Sequence, residues 1–147
     1  MSKNNFLMWY TLKNSIYKYI YYHFPWQLMM IFIFVLSSIP GDQCPEIQFK
    51  LEDKIAHFFV FGILALLLAR SFRNTLNPLW KNRYILWSIL IGMVYGLIDE
   101  WHQMYIPGRY TSLSDWIADL LGAVCFVSLY FWWISKRATN IRSKVKK

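Results

Sequence analysis

Only two cysteines occur in the sequence, and neither has a neighbour at the spacing of a metal site. Cys44 lies in a polar stretch, whereas Cys125 lies inside an apolar run, roughly 15 Å along a helix from its predicted start. A disulfide bond between the two is therefore not expected. The sequence also has no zinc-finger spacing and no RNA-binding signature, which removes two common kinds of nucleic-acid site.

Acidic residues are also few, since eight Asp and Glu stand against sixteen Lys and Arg, for a net charge of +8. The basic residues lie at the ends of apolar runs rather than along one face, so nucleic acid is not an expected partner. Abundant instead are hydrophobic and aromatic residues, at 56% and 20% of the chain. An ordinary soluble domain is about 45–50% apolar, and Trp and Tyr favour the membrane–water interface. This composition indicates a membrane protein whose partner is the lipid bilayer.

Four apolar segments predict an all-α integral membrane bundle of four transmembrane helices. The segments are Pro25–Ile39, Ile55–Ala69, Tyr84–Ile98 and Trp116–Ile134. Each is near or below the roughly 20 residues that cross a bilayer, but polar flanking residues can extend each helix. The chain then divides into an N-terminal lead (1–24), a membrane domain (25–134) and a basic tail (135–147). The lead either lies in the interface as an amphipathic helix or lengthens the first span.

The basic residues predict that both termini face the cytoplasm. Thirteen of the sixteen belong to the lead, to the loop between the second and third segments, and to the tail. The other three, Lys50, Lys54 and Arg109, fall on the opposite side together with all eight acidic residues. We therefore expect a multi-pass protein of the plasma membrane with a polar site on its outer face.

Three polar side chains open the second span, where Asp53, Lys54 and His57 share one arc of a helix. A histidine one turn into an apolar helix needs a polar partner. Either a neighbouring helix supplies that partner, or His57 has a catalytic, relay or ligand role. Asp53 is equally compatible with a helix cap.

Two carboxylates, Asp99 and Glu100, end the third span, where the helix dipole disfavours negative charge. Water, a bound cation, Lys54 or Arg109 could offset them. The sequence IPGR predicts a tight turn that fixes Arg109 in place. There it would act either as a salt-bridge partner or as a bidentate fork for a phosphate or carboxylate.

The fourth span begins with two further carboxylates. Ser112 and Asp115 have the spacing of a capping box, and we interpret Asp115 mainly as a cap. Asp119 lies one turn deeper in the span, where a charged side chain needs a partner, water or a proton.

Three stretches together resemble the VanZ-like family of bacterial membrane proteins. They are DKIAHF (53–58), DEWHQMYIPGR (99–109) and SLSDWIADLLGA (112–123), and the likeness runs from about Ser37 to about Tyr130. Asp119 departs from the pattern because the family commonly has Asn there, and His102 falls at a variable position. The resemblance implies a multi-span protein linked to the cell envelope, since the namesake is tied to teicoplanin resistance, but it supplies no reaction.

The polar residues predict one outer site. The candidates for catalysis are His57, Asp99 and Glu100, and those for ligand binding are Asp53, Lys54, Gln103, Arg109, Asp115 and Asp119. A metal site of His57, Asp99 and Glu100 is a weaker alternative because no local motif supports it, and no cofactor is predicted.

Two hypotheses of function follow from these residues. In the first, the site binds or processes an anionic envelope component, either a precursor or a lipid head group. Lys54 and Arg109 would hold its charge, and His57 would transfer a proton. In the second, the protein is a non-enzymatic structural partner or small carrier, and its polar groups form an interhelical lock. These residues are compatible both with an enzyme and with a non-enzymatic protein.

Overall fold

The computed structural model describes residues 14–41 and 50–145, which form helices joined by short turns. Residues 14–22 are helical and are called α1. The other helices are α2 (Phe24–Ser37), α3 (Lys50–Arg73), α4 (Pro78–Asn82), α5 (Tyr84–Gln103) and α6 (Leu113–Val145). These two stretches contain no strand, which confirms the predicted all-α class. Residues 1–13, Asp42, Cys44, Glu46 and the last two lysines lie outside the described residues.

Four helical stretches are long and apolar enough to cross a membrane. They are Asn14–Ser37, Asp53–Arg73, Tyr84–Gln103 and Leu113–Lys144. The predicted four-span architecture is confirmed, and each span is longer than its apolar segment. Polar residues continue the helices because their side chains can lie among head groups and water. The first span begins at Asn14 rather than at Pro25, so the described part of the lead lengthens this span.

Local sequence fixes several helix ends. Pro25 occupies the first turn of α2, where its fixed φ suits a helix and its missing N–H is not needed. The Asn77 side chain accepts a 2.9 Å hydrogen bond from the backbone N–H of Leu79 and so caps the short α4. Gly108 has a φ of 72°, which confirms the predicted turn between α5 and α6.

α3 is the central helix, and it packs against α2, α4, α5 and α6. Two buried apolar clusters hold it. They are Ile33, Phe61, Leu64 and Leu68 between α2 and α3, and Ala65, Ala69, Ala123 and Val127 between α3 and α6. Small side chains in the second cluster let the axes of α3 and α6 approach closely. These two helices therefore form the rigid base on which the polar end of the bundle is built.

Two glycines bring α3 and α6 into direct contact. A Cβ on Gly122 would lie 2.0 Å from the carbonyl oxygen of Phe58, and one on Gly62 would lie 2.6 Å from the Phe126 ring. Close approach of this kind at small residues is how membrane helices gain packing energy in the absence of a hydrophobic drive. The register between α3 and α6 is therefore fixed at two points.

Large apolar side chains cover the outside of the bundle. Ile31, Val94 and Leu121 expose 61%, 55% and 56% of their surfaces. Exposure to water would cost free energy in proportion to the apolar area, whereas lipid tails cover such side chains without that cost. The chain is therefore a multi-pass membrane protein.

Reporter fusions test the orientation of the bundle. We expect fusions at Gln48 and Tyr105 to lie outside and a fusion at Asn77 to lie inside, because the loop that contains Asn77 is rich in Lys and Arg and such loops stay in the cytoplasm. A phosphatase that is active only outside the cell and a fluorescent protein that matures only inside give opposite readouts at each position. The reverse pattern would show that the predicted outer face is cytoplasmic.

Candidate functional site

Polar residues from three separate stretches meet at one end of the bundle, where the starts of α3 and α6 lie beside the end of α5. We call this region the acidic end and define it by Asp53, Lys54, His57, Asp99, Glu100, Gln103, Asp115 and Asp119. Five of these side chains are buried, namely Asp99, Glu100, Gln103, Asp115 and Asp119. The structure thus brings together all the predicted site residues except Arg109, which lies at the edge. Charged groups buried in a membrane bundle need partners within the protein or access to water.

A hydrogen-bonded pair, His57 and Asp119, joins α3 to α6. His57 Nδ1 lies 2.9 Å from Asp119 Oδ1, and the two side chains expose 11% and 1% of their surfaces. The His57 ring stacks on Phe61, with centroids 6.0 Å apart and planes within 1° of parallel. The polar partner that each residue was predicted to need is therefore supplied by the other. The bond fixes the orientation of the imidazole and directs Nε2 away from the carboxylate.

The second oxygen of Asp119, Oδ2, is buried and has no hydrogen-bond partner in the described part of the chain. It lies against α5, since a Cβ placed on Gly96 would be 2.7 Å from it. Gly96 therefore makes room for the carboxyl group. A buried acceptor without a donor is unfavourable, so this carboxyl group is well placed to take a proton or a further donor.

Asp115 pairs with Lys54 instead of completing a capping box. Lys54 Nζ lies 2.6 Å from Asp115 Oδ1, and the lysine exposes 33% of its side chain against 5% for the aspartate. The Ser112 hydroxyl turns to Ser114. Interpreting Asp115 as a cap was therefore wrong, because an ammonium group from α3 attracts the carboxylate more strongly than a neutral backbone N–H.

The N-terminus of α6 is capped by Glu100, which comes from the end of α5. Glu100 Oε2 accepts a 2.8 Å hydrogen bond from the backbone N–H of Ser112, where the dipole of α6 favours negative charge. Its other oxygen, Oε1, is buried and unpartnered within the described stretches. Asp99 accepts a 2.9 Å bond from Gln103 Nε2, one turn along α5. The Gln103 amide and the backbone N–H at the start of α6 therefore offset the two carboxylates that end α5.

Arg109 lies at the edge of the acidic end and caps α2. Its Nε donates to the Ile39 carbonyl and its Nη2 to the Leu36 carbonyl, each at 3.0 Å. It forms no ion pair with any of the side chains that the structure describes. Neither predicted use of Arg109 is observed, because its fork binds one carbonyl in the last turn of α2 and one just beyond that helix. A ligand-binding role for this residue remains a prediction.

Asp53, His57 and Asp115 could together hold a divalent metal ion. One potential ligand atom from each lies within 4.8 Å of the others, and a mixed imidazole and carboxylate set suits several transition metals. This set differs from the predicted one because Asp99 and Glu100 turn to other partners. An ion here would also compete with the lysine ammonium that already binds Asp115.

His102, at the variable position of the DEWHQ motif, joins α5 to the end of α2. Its Nε2 lies 3.0 Å from Ser38 Oγ, and its ring stacks on Phe34 with centroids 4.7 Å apart. Tyr95 makes a second link, donating a 2.6 Å hydrogen bond to the Met30 carbonyl. These partners are 64 and 65 residues apart in the chain, and no local pattern could have indicated them.

Comparison with known proteins identifies the family of the chain. The VanZ/LLP1 family model matches residues 4–134, which include all of the acidic end. Uncharacterized protein C11E3.10 of the fission yeast Schizosaccharomyces pombe is 29% identical over 126 residues, which are 83% of this chain and 75% of that protein. No solved structure matches the chain. With four membrane spans and the three motifs gathered at one end of them, the chain belongs to the VanZ/LLP1 family.

Proposed function

We propose that this protein binds and processes an anionic component of the cell envelope at its acidic end, on the outer face of a bacterial plasma membrane. The bond of 2.9 Å between His57 Nδ1 and Asp119 Oδ1 is the observation that supports this most directly. A carboxylate on Nδ1 holds the ring and its tautomer and leaves Nε2 as a base that can take a proton from a hydroxyl group or water. In this proposal His57 is the general base and Asp119 orients it.

The charge of the acidic end determines where the anionic group of the component would bind. Its defining residues carry five carboxyl groups and one lysine, so the anion belongs at the rim rather than among the carboxyls. Lys54 exposes a third of its side chain while Asp115 holds it in place, which suits contact with a phosphate or carboxylate at the rim. Glu100 and Asp119 each have one unpartnered oxygen that could accept a hydrogen bond from the component.

The envelope part of the proposal rests on the resemblance to VanZ-like proteins, whose namesake is tied to teicoplanin resistance. The match to a fission yeast protein extends the similarity beyond bacteria, and the printed name of that protein assigns it no activity. A bacterial plasma membrane and a role in glycopeptide resistance are therefore inferences from the resemblance, to be tested together.

A second candidate function is that of a non-enzymatic structural partner or small carrier, in which the acidic end is an interhelical lock. Three polar bonds of this region favour it, because each joins different helices or the turn that precedes one. Hydrogen bonds between helices stabilise membrane bundles without any need for a ligand.

The variant His57→Asn separates the two functions. Asparagine places its amide nitrogen where His57 Nδ1 lies and so keeps a donor for Asp119, but it cannot act as a general base, and loss of such a base lowers rates by about 10²–10⁴. We expect the protein to accumulate with nearly unchanged thermal stability while its protection of a bacterial strain against teicoplanin is lost. Glu100→Gln, which can still accept from Ser112, should behave in the same way. The matched control is His23→Asn at the other end of the bundle, where His23 Nδ1 lies 2.6 Å from Ser71 Oγ.

Other outcomes would favour the lock or reject the envelope role. Full protection by His57→Asn would mean that a hydrogen bond at this position is sufficient, as the lock requires. Loss of protection in step with loss of abundance would also favour the lock. If the unaltered protein gives no protection to the strain, the resistance role is contradicted.

A further inference from the structure

A cavity of about 760 Å³ lies at the end of the bundle opposite the acidic end. It is bounded by the end of α1, the end of α3 and the later turns of α6. Arg70, one of its lining residues, follows Asp53 by 17 residues in α3, which is about 25 Å along a helix. The two sites are therefore separated by most of the thickness of a bilayer core, which is about 30 Å. We call this site the basic cavity.

Three arginines line the basic cavity, namely Arg70, Arg73 and Arg137. Its lining includes no acidic residue, and none of the three forms an ion pair within the described ranges. Their guanidinium donors bind no acceptor in the same ranges, although each group carries five N–H bonds. Three positive charges that converge on one cavity repel each other, and a bound anion would remove that repulsion.

Aromatic rings hold two of these arginines in place. The Arg70 guanidinium carbon lies 4.1 Å from the Tyr21 ring centroid, and that of Arg137 lies 3.8 Å from the centroid of Trp133. A guanidinium that stacks on a ring is fixed through its face, which leaves its N–H edge free for a planar or tetrahedral oxyanion. Two of the three arginine forks, one on α3 and one on α6, are therefore held by ring contacts.

The rest of the lining matches the part of a ligand that would lie next to its charge. Leu66 and Leu129 supply apolar surface, and Tyr130 and Trp132 supply amphipathic rings. Trp and Tyr in membrane proteins concentrate at the level of the head groups, and the second candidate span ends at Arg73. A molecule with a phosphate at this level and hydrocarbon directed into the bilayer fits these features.

We propose that the basic cavity binds the phosphate group of an anionic ligand, with the head group of an anionic phospholipid as the expected source and a soluble phosphate compound as the other. Arg70 and Arg73 grip the phosphate oxygens, and Arg137 closes the site from α6. This site is separate from the acidic end, so it does not depend on the function proposed for His57 and Asp119.

Titration of the purified full-length protein in neutral detergent tests the proposal. Trp132 and Trp133 line the cavity, so intrinsic fluorescence reports occupancy. Short-chain phosphatidylglycerol is expected to bind saturably and short-chain phosphatidylcholine is not. Inorganic phosphate forms a third arm. If it binds as tightly as the lipid, the source is a soluble phosphate compound, and if only the lipid binds, the source is the membrane.

Matched charge removals show whether the cavity is responsible. Arg70→Gln with Arg73→Gln should lower the affinity for the probe roughly tenfold or more, because two charged hydrogen-bonding groups are lost. Arg142→Gln with Lys144→Gln removes the same charge from exposed positions of α6 outside the lining and should leave the affinity unchanged. If the first pair fails to fold, the exposed Arg137→Gln replaces it, with the same direction of change expected. Equal losses in both pairs, or no saturable binding of either phosphate probe, would overturn the proposal.

Discussion

Replacing Gly122 by alanine is expected to prevent the bundle from accumulating in the membrane. The added Cβ would lie 2.0 Å from the Phe58 carbonyl oxygen, 2.8 Å from its carbonyl carbon and 3.1 Å from its Cα. These are backbone atoms of the central helix, so no side chain can rotate to relieve the overlap. The cost should exceed the roughly 1–3 kcal/mol of ordinary overpacking, because α3 and α6 must move apart along much of their contact.

Gly92→Ala is the matched control for this change. Gly92 also lies within a membrane-spanning helix, but its added Cβ would meet only the Cβ atoms of Ala65 and Ala123, at 3.9 Å. We expect it to be neutral or to stabilise by about 0.5–1 kcal/mol, since alanine is the better helix former. Membrane abundance and thermal unfolding in detergent measure both variants. Normal accumulation of Gly122→Ala would show that α3 and α6 do not cross at this point.

Replacing His57 by leucine is expected to destabilise the protein by about 3–5 kcal/mol. The change leaves Asp119, which is 1% exposed, without a partner for either oxygen in the described part of the chain. Adding Asp119→Asn to this variant should recover most of the loss, because the amide carries no charge and has almost the same volume. Thermal unfolding of the four proteins of this double-mutant cycle gives the coupling between the two residues.

Asp119→Asn alone is the control in this cycle. Its side-chain oxygen can accept the same hydrogen bond from His57 Nδ1, and asparagine is the residue that VanZ-like proteins commonly have at this position. We therefore expect near-neutral stability. If His57→Leu is equally unstable with and without Asp119→Asn, the uncompensated buried charge is not the cause of the instability.

The spans were predictable from sequence, but their ends were not. Apolar runs located all four helices because lipid exposure requires nearly continuous apolar sequence. Each helix nevertheless continues through polar residues, as α3 does from Asp53 to His57, because side chains there find partners on α6. Such partners come from distant parts of the chain, and hydropathy carries no information about them.

The acidic end was predictable as a group of residues, while its pairings were not. The count of charges suggested that Arg109 would meet the carboxylates, but its donors go to one backbone carbonyl of α2 and one just after it. Every residue has a backbone carbonyl, so the sequence does not single these two out. The N-terminus of α6 is likewise capped through a backbone group, the N–H of Ser112, by Glu100 from another helix, and no local motif indicates this. From the sequence, the arginines of the basic cavity indicated only the orientation of the chain. Arg70 and Arg137 are 67 positions apart, and no local pattern shows that they line the same cavity.

The bonds from Arg109 to Ile39 and Leu36 have a consequence for the order of assembly during synthesis. They join positions 70 and 73 residues apart, and the earlier partners leave the ribosome first. At about 5–20 residues per second, the end of α2 is synthesised roughly 4–14 s before the arginine that binds it. During that interval water or lipid head groups can bind these carbonyls in place of the arginine. A chain cut short between the third span and Arg109 would therefore have its first span without the two bonds that join the end of this span to the turn after α5.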